Sequence, residues 1–202
     1  MEMAAWMEIF IGENQRLMKT LVFVTQNLNK VEDAKRLLPD FEIKHVGFDV
    51  DEIQSLDMKK IVEHKLRQAY EKARRPCFVH DSSLSFDCLN GFPGPFIRYY
   101  LKDTVGVEKT CEIAKLFNQF GCQWTTVLGY FDGKKTTFFE ETVKGAIPTE
   151  PRGTNGYDWD VIFIPEGEKR TFAEMTFEEK QSYAVTGKLL KKFEELLKLH
   201  NI

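Results

Sequence analysis

The 202-residue chain contains only four cysteines, and no two of them form a C-x-x-C pair. They are Cys77, Cys88, Cys111 and Cys122. No group of histidines lies near them to complete a zinc site. Isolated cysteines of this kind are typical of reduced residues in an intracellular protein rather than of a disulfide framework. We therefore expect a cytoplasmic protein without structural disulfides.

Long hydrophobic runs are also missing, since no apolar stretch approaches the ~20 residues that span a bilayer. The first twenty residues, MEMAAWMEIFIGENQRLMKT, are too acidic and too interrupted for a secretory signal peptide. Trp6, Ile9, Phe10 and Leu17 could form a short amphipathic helix, or the segment could lack structure of its own. We treat residues 1–19 as an extension and residues 20–202 as a single two-lobed domain, with no membrane partner.

An excess of positive charge is absent as well. Lysine and arginine total 28 against 31 aspartates and glutamates, which gives a formal net charge of −3. Proteins that bind nucleic-acid polymers usually carry a clustered basic excess. The composition therefore argues against a nucleic-acid polymer as partner, but a few placed lysines could still bind a small anion.

The first half of the chain alternates strand and helix patterns. Residues 21–25 (LVFVT) form a short apolar run typical of a buried strand, and Asn27 can cap a helix that continues to Pro39. FEIKHVGF predicts a second strand, and Asp57 can cap a second helix. CFVHD predicts a strand that ends at Asp81. This order indicates an α/β layer architecture.

The second half favours antiparallel pairing. NGFPGP has turn chemistry, residues 107–120 predict a helix, and the segments on either side of Asp132-Gly133 predict a hairpin. YDWDVIFIP predicts another strand, and an apolar stripe predicts one long terminal helix from Phe177 onward. We expect one mixed sheet bent into two lobes with a central cleft.

A possible phosphate site lies where the first strand gives way to the first helix. Unpaired N–H groups and the positive end of the helix dipole favour an anion there. Asn27 could donate an amide hydrogen bond and Lys30 could add a positive charge, although a capping Asn followed by a solvated Lys is the commoner meaning of this pattern. A G-x-x-x-x-G-K-[ST] loop is absent.

Carboxylates that could bind Mg²⁺ follow two of the strands. Asp49, Asp51 and Glu52 precede the helix capped by Asp57, and Asp81 follows CFV. A solvated acidic loop and a turn cap are the ordinary alternatives.

Two further features could contribute to binding. Lys65 lies on the apolar stripe of its helix, so its ammonium must snorkel to water or face a polar cleft. The run Gly156-Tyr157-Asp158-Trp159-Asp160 could stack a purine base and bond its edge, although aromatic side chains in such a run are more often core residues.

Taken together, these segments resemble the inosine triphosphate pyrophosphatase (non-standard purine nucleoside triphosphate pyrophosphatase) family over nearly the whole chain from Leu21. VTQNLNK is similar to its [ST]-x-N-x-x-K signature, and DEIQSLD resembles the segment that carries its metal-binding Glu. HDSSLSFDCLNGFPGPFIRYYL is similar to its E-D-[ST]-x-L…L-x-G-x-P-G-x-[YF] block. GYDWDVIFIPEG and RTFAEMTFEEK resemble its last two motifs.

The resemblance implies the inosine triphosphate pyrophosphatase (anticodon-binding-domain-like) fold, a purine nucleoside triphosphate substrate, Mg²⁺ as cofactor and a homodimer. It implies attack of water on the α-phosphorus of ITP, dITP or XTP with release of pyrophosphate. The implied catalytic and metal-binding residues are Glu52 and Asp81. The implied substrate-binding residues are Thr25, Gln26, Asn27, Lys30, Lys65, Ser82, Arg98, Tyr157, Asp158, Trp159, Asp160 and Lys180.

The sequence departs from this pattern at three places. His80 replaces an acid, Asp158 replaces a small residue, and Ala184-Val185-Thr186 replaces a Ser-His-Arg triplet that helps to recognise the purine 6-keto edge. Two alternatives therefore stay open: the same reaction with a different base preference, or a nucleotide-binding protein without turnover.

Overall fold

The computed structural model describes residues 19–47 and 49–200, so the possible helix around Trp6 lies outside the described residues. β1 (Lys19–Val24) pairs in parallel with β2 (Phe41–Val46), and α1 (Leu28–Leu37) connects them. The Asn27 side chain accepts a hydrogen bond from the Asn29 N–H, which confirms the predicted cap. The strand ends and the start of α1 therefore meet at one edge of the sheet.

The second helix and third strand differ in how well their ends were predicted. α2 (Met58–Ala73) begins after its predicted cap, Asp57, whose carboxylate accepts from two backbone N–H groups. β3 (Cys77–Phe86) does not end at Asp81, so that prediction is wrong. β3 pairs with β1 only at Cys77 and Phe78 but with β5 (Gly121–Phe131) over its whole length, and this long-range pairing extends the strand. Asp81 thus lies at the middle of β3, beyond the end of its parallel neighbour.

Within the described residues the sheet has seven strands in the order β2-β1-β3-β5-β6-β7, with β4 (Pro93–Gly94) on β3, β6 at Thr136–Ala146 and β7 at Ile164–Pro165. β5 (Gly121–Phe131) and β6 (Thr136–Ala146) form the hairpin predicted around Asp132-Gly133. The parallel and antiparallel pairs confirm a mixed α/β sheet. Shorter helices follow β4: α3 (Ile97–Tyr99), which continues into a π-helical turn (Tyr100–Thr104), and α4 (Val107–Phe117).

The segment YDWDVIFIP does not form the predicted strand. Only its last two residues pair as a strand, β7 (Ile164–Pro165), and a 3-10 turn (Asp160–Ile162) lies before them. Asp158 has a φ of +55°, and the Asp160 carboxylate accepts the Tyr157 N–H at 2.9 Å. These two features fold the run into a turn instead of a strand.

The terminal helix is also interrupted, contrary to the prediction of one long helix. After a 3-10 turn (Phe172–Glu174), α5 (Phe177–Tyr183) and α6 (Val185–Leu199) are separated at Ala184, whose backbone is extended. Ala184 and Val185 are both buried, so tertiary packing fixes the break. The break places the start of α6 beside the turn at residues 157–160, since Thr186 and that turn line the same small space.

In the part of the chain that the structure describes, buried side chains form three clusters around the sheet. One cluster joins β1, α1 and α6 on one face, and a second joins β1, β3 and α2 on the other. The third surrounds the far half of β3 and β5, with α4 and the two 3-10 turns packed against it. β3 contributes to all three clusters, so it runs through both halves of the molecule. The four cysteines are buried free thiols, and none of the described helices is long and apolar enough to cross a bilayer.

Candidate active site

A cavity of about 500 Å³ opens where β1 ends and α1 begins. A slot of about 30 Å³ continues from it, and the two spaces share Lys30, His80, Ser82, Asp158 and Trp159 as lining residues. All fourteen predicted site residues line one space or both. Those that line the larger cavity are Thr25, Gln26, Asn27, Lys30, Glu52, Lys65, Asp81, Ser82, Arg98, Asp158 and Trp159. Those found only at the slot are Tyr157, Asp160 and Lys180.

The start of α1 forms one wall of the larger cavity. The Asn27 N–H donates to the Thr25 hydroxyl at 3.1 Å, and the Asn27 side-chain oxygen accepts from the Asn29 N–H at 3.0 Å. Asn27 is therefore a helix cap, and its predicted role toward phosphate stays a prediction. Lys30 extends from the first turn of α1 to donate to the His80 carbonyl at 3.1 Å. This wall presents a helix N-terminus with a lysine beside it, which is suited to an anion.

The two predicted acids face each other across one ammonium. Lys65 Nζ lies 2.6 Å from Glu52 Oε1 and 2.5 Å from Asp81 Oδ2, while Lys30 Nζ lies 3.7 Å from Asp81 Oδ1. The Lys65 side chain is 13% exposed, so it faces the polar cleft rather than snorkelling to bulk water. Successive residues of a strand face opposite sides, so Asp81 faces α2 with Val79 while His80 faces α1 with Phe78. Because β1 stops at Val24, Lys30 can approach Asp81 from the other side.

The charges of this cluster perturb one another. Burial alone would raise the pKa of Asp81, but the ammoniums of Lys30 and Lys65 outweigh it and lower that pKa. Burial lowers the pKa of Lys30, assisted by the charge of Lys65. Burial would also lower the pKa of Lys65, but the contacts with Asp81 and Glu52 outweigh it and raise that pKa. Asp81 is thus a largely buried carboxylate of the cavity wall that is ionised at neutral pH.

Glu52 and Asp81 together can hold a hard divalent cation. Both are bonded to the same nitrogen, which shows that one positive charge fits between their oxygens. Among residues 19–47 and 49–200 there is no group of three or more Asp, Glu, His or Cys side chains arranged as a metal cage. Mg²⁺ is typically bound by one or two carboxylates together with waters and substrate phosphates, so a two-acid site matches that ion.

The slot is bounded by the turn that replaced the predicted strand. The Tyr157 hydroxyl donates to Asp33 on α1 at 2.8 Å, so the turn is tied to the helix that forms the cavity wall. Lys180 Nζ lies 2.5 Å from Asp160 Oδ2 and 5.1 Å from the centre of the Tyr157 ring. Burial raises the pKa of Tyr157, and the charge of Asp33 adds to this effect. Since about 30 Å³ is the volume of a single water, a purine can enter the slot only when the turn or Lys180 moves.

Asp158 introduces a negative charge between the cavity and the slot. Its φ of +55° is the left-handed conformation that glycine adopts most readily. Its carboxylate pairs with Lys102 at 2.7 Å, and both residues line the larger cavity. Sequence reasoning missed Lys102, although it lies four residues after Arg98 on the same helical segment, a spacing that indicates a shared face.

Several lining residues were not predicted as ligands, and three of them carry polar groups that matter below. Asp33 and Trp124 line the slot, and His80 lines both spaces. Burial lowers the pKa of His80 well below its usual value, assisted by the charge of Lys30. Neither ring nitrogen of His80 has a hydrogen-bond partner among the described residues, and the same is true of Trp124 Nε1. The sequence signalled His80 only as a departure from a motif.

The start of α6 lies where the resembling family has its Ser-His-Arg triplet. Thr186 lines the slot, whereas Ala184 and Val185 are buried apolar residues. Of the three positions, only Thr186 therefore offers a polar side chain to the slot.

Comparison with known proteins gives a consistent result. Residues 21–196 match the sequence model of the Ham1 family. A dITP/XTP pyrophosphatase of Saccharolobus solfataricus is 39% identical over 176 residues, which cover 86% of this chain and 91% of that protein. An inosine triphosphate pyrophosphatase of Schizosaccharomyces pombe is 37% identical over 169 residues, which cover 82% and 88%.

Solved structures show the same similarity in three dimensions. A HAM1 protein from Coxiella burnetii superposes with a TM-score of 0.77 at 26% identity, over 90% of this chain and 99% of that one. The Ham1 protein of Staphylococcus aureus gives a TM-score of 0.75 at 25% identity, over 90% and 100%.

Proposed function

The chain belongs to the Ham1 family, and from this premise we propose that it hydrolyses non-standard purine nucleoside triphosphates to the monophosphate and pyrophosphate. Relatives named dITP/XTP pyrophosphatase and inosine triphosphate pyrophosphatase share most of its length. The substrates meant are ITP, dITP and XTP.

The observation that carries this proposal is the shared contact of Glu52 and Asp81 with Lys65 inside the larger cavity. A triphosphate needs compensating positive charge, and Lys30, Lys65 and Arg98 line the same space. The start of α1 adds oriented N–H groups. Acids for a metal and cations for phosphate thus line one cavity, and its volume of about 500 Å³ leaves room for a nucleotide.

In the proposed reaction, a water oxygen forms a bond to the α-phosphorus while the bond from that phosphorus to the bridging oxygen breaks and pyrophosphate leaves. Asp81 orients the water and accepts its proton, as an ionised carboxylate can. Glu52 and Asp81 would hold Mg²⁺, which would supply charge stabilisation and lower the pKa of a water. Lys30 and Lys65 hold phosphate oxygens, with Asn27 and Arg98 assisting, and Ser82 lies at the junction toward the base.

The slot is proposed as the base site. Tyr157 and Trp159 would stack on the purine, while Asp160 and Lys180 would bond to its edge. The Asp33–Tyr157 bond ties the turn to α1, and entry of the base requires the turn or the Lys180–Asp160 pair to rearrange.

The test is pyrophosphate release from ITP, XTP, GTP and ATP with Mg²⁺. We expect ITP and XTP to be preferred, and Asp81→Asn to lower kcat/KM for ITP about a thousandfold because it removes the proton acceptor. Glu71→Gln, an isosteric loss of charge at an exposed position of α2, is the matched control and should turn over normally. Undiminished turnover by Asp81→Asn would remove this residue from the mechanism.

Two further properties are proposals from family membership. We propose a homodimer, to be tested by light scattering of the eluting protein, where a mass near the monomer value of 23.5 kDa would contradict it. We also propose a cytoplasmic location, to which the four free cysteines are suited. Fractionation of cells that express the native chain would test it.

A further inference from the structure

Trp124, a residue that lines the base slot, carries a buried hydrogen-bond donor that has no partner in the described part of the chain. Trp124 lies on β5, is 6% exposed and lines the slot. Its Nε1–H has no hydrogen-bond partner among the described residues. A buried polar group without a partner costs free energy, so such a group in a binding site is suited to a ligand that supplies the partner. The indole nitrogen can donate a hydrogen bond but cannot accept one.

The surroundings of Trp124 place it at the base end of the site. Its ring meets Trp159 edge-on, with centroids 5.8 Å apart, and the Lys180 ammonium lies 6.0 Å from the Trp124 ring centre. Phe163 and Phe172 pack against it at centroid distances of 6.0 and 5.7 Å, so the ring is fixed from several sides. A donor held by the sheet and by packed rings keeps its orientation while the turn at residues 157–160 moves.

In the family that the sequence resembles, a Ser-His-Arg triplet at the start of α6 helps to recognise a 6-keto group, and the residues found here offer few groups for that role. Val185 is fully buried and apolar, and Thr186 supplies a single hydroxyl. A purine with a 6-keto group presents two acceptors, O6 and N7, on one edge. Adenine presents a donor, the 6-amino group, in place of O6. A donor-only group therefore distinguishes the two classes of purine at that atom.

We propose that Trp124 is a specificity-determining residue whose Nε1–H donates a hydrogen bond to the 6-keto oxygen of the substrate base. This inference rests on the proposed pyrophosphatase function and assigns part of its base preference to the sheet rather than to α6. It selects 6-keto purines against 6-amino purines, and it does not separate ITP from GTP, since both carry O6.

The experiment compares kcat/KM for ITP, GTP and ATP in the wild type and in Trp124→Phe, which keeps an aromatic ring and removes the N–H. We expect the ITP-to-ATP ratio to fall about tenfold, the usual worth of one hydrogen bond to a neutral partner, while the ITP-to-GTP ratio stays within about twofold. A merely structural role would lower all three values together. That result, or an unchanged ITP-to-ATP ratio, overturns the proposal.

Two additions keep the outcome decisive. Replacing Trp124 with 3-benzothienylalanine keeps the bicyclic shape and deletes only the donor, so it must reproduce the change of ratio even where Trp124→Phe weakens folding. Tyr130→Phe is the matched control, because it removes from the same strand another buried donor without a partner among the described residues, outside the cavity and the slot. It should leave both ratios unchanged.

Failure of the proposed function gives a different result. If the wild type releases no pyrophosphate from any of the three nucleotides, the reaction itself is wrong and this assignment falls with it. If the wild type prefers ITP and both Trp124 variants retain its ITP-to-ATP ratio, only the assignment is wrong.

Discussion

Replacing Lys65 with methionine removes the ammonium that Glu52 and Asp81 share while keeping much of the aliphatic chain. Both contacts are short, at 2.6 and 2.5 Å, and the Asp81 side chain is only 24% exposed. Without Lys65, Asp81 keeps Lys30 at 3.7 Å, and the two carboxylates repel each other directly. The variant therefore tests whether this lysine mainly stabilises the fold or mainly serves the substrate.

The expected effect on stability is small. A buried pair gains Coulomb energy but loses hydration, and Glu52, at 48% exposed, is screened by water. A net loss of about 1 kcal/mol is reasonable for such a contact, which corresponds to a Tm shift of about 2–4 °C in a protein of this size.

The expected effect on catalysis is much larger. A cation aimed at charge that develops during phosphoryl transfer is worth about 3–4 kcal/mol, so kcat/KM for ITP should fall between about a hundredfold and a thousandfold. The Mg²⁺ concentration for half-maximal rate should also decrease, because the ion no longer competes with an ammonium for the two acids.

The assay is pyrophosphate release over a Mg²⁺ series, alongside thermal melts of both proteins. Lys60→Met, on the exposed side of α2, is the control for loss of a lysine. A large fall in Tm with an undiminished kcat/KM in the folded fraction would refute the reasoning, since Lys65 would then be a structural residue.

Two other outcomes follow from charges around the cavity. Asp158→Asn keeps a residue tolerant of the positive φ but removes a negative charge beside the triphosphate path, so KM for ITP should fall about threefold at low salt and the difference should shrink at high salt. An equal KM at both salt concentrations would contradict this. Burial, assisted by Lys30, holds the pKa of His80 well below 6.5, so below that pH the unfolded chain binds a proton that the folded chain does not. Stability is therefore retained above pH 6.5 and declines as the pH falls, by at most about 1.4 kcal/mol per pH unit from this group. His80→Phe should weaken the dependence of stability on pH in chelator-treated protein. If Tm falls equally in the wild type and in His80→Phe between pH 7 and about pH 5, other groups cause the decline.

Local chemistry in the sequence predicts the parts of the fold that are fixed locally. Asn27 and Asp57 cap their helices through their own side chains, and Asp132-Gly133 closes the hairpin. The candidate site residues could be identified by resemblance because the motifs keep their order. Their meeting in one cavity depends on where β1 stops and on the reach of Lys30 and Lys65, which no local pattern contains.

The wrong predictions have non-local causes. The strand CFVHD was predicted to end at Asp81, but β5 supplies partners for the residues that follow, over the full length of β3. The apolar stripe of the last helix is continuous in sequence, yet burial of Ala184 and Val185 divides it. The segment YDWDVIFIP was predicted as a strand, but the bond between the Asp160 carboxylate and the Tyr157 N–H favours a turn.

β3 has a further consequence because it belongs to both halves of the molecule and carries Asp81 and Ser82 at its centre. Both residues lie within a paired strand, since β5 places Val127 opposite Asp81 and Thr126 opposite Ser82. The proposed proton acceptor therefore stands on backbone that is hydrogen-bonded before and after it, whereas Glu52 lies in a segment outside any strand or helix. We expect adjustments of the site to substrate at Glu52 rather than at Asp81.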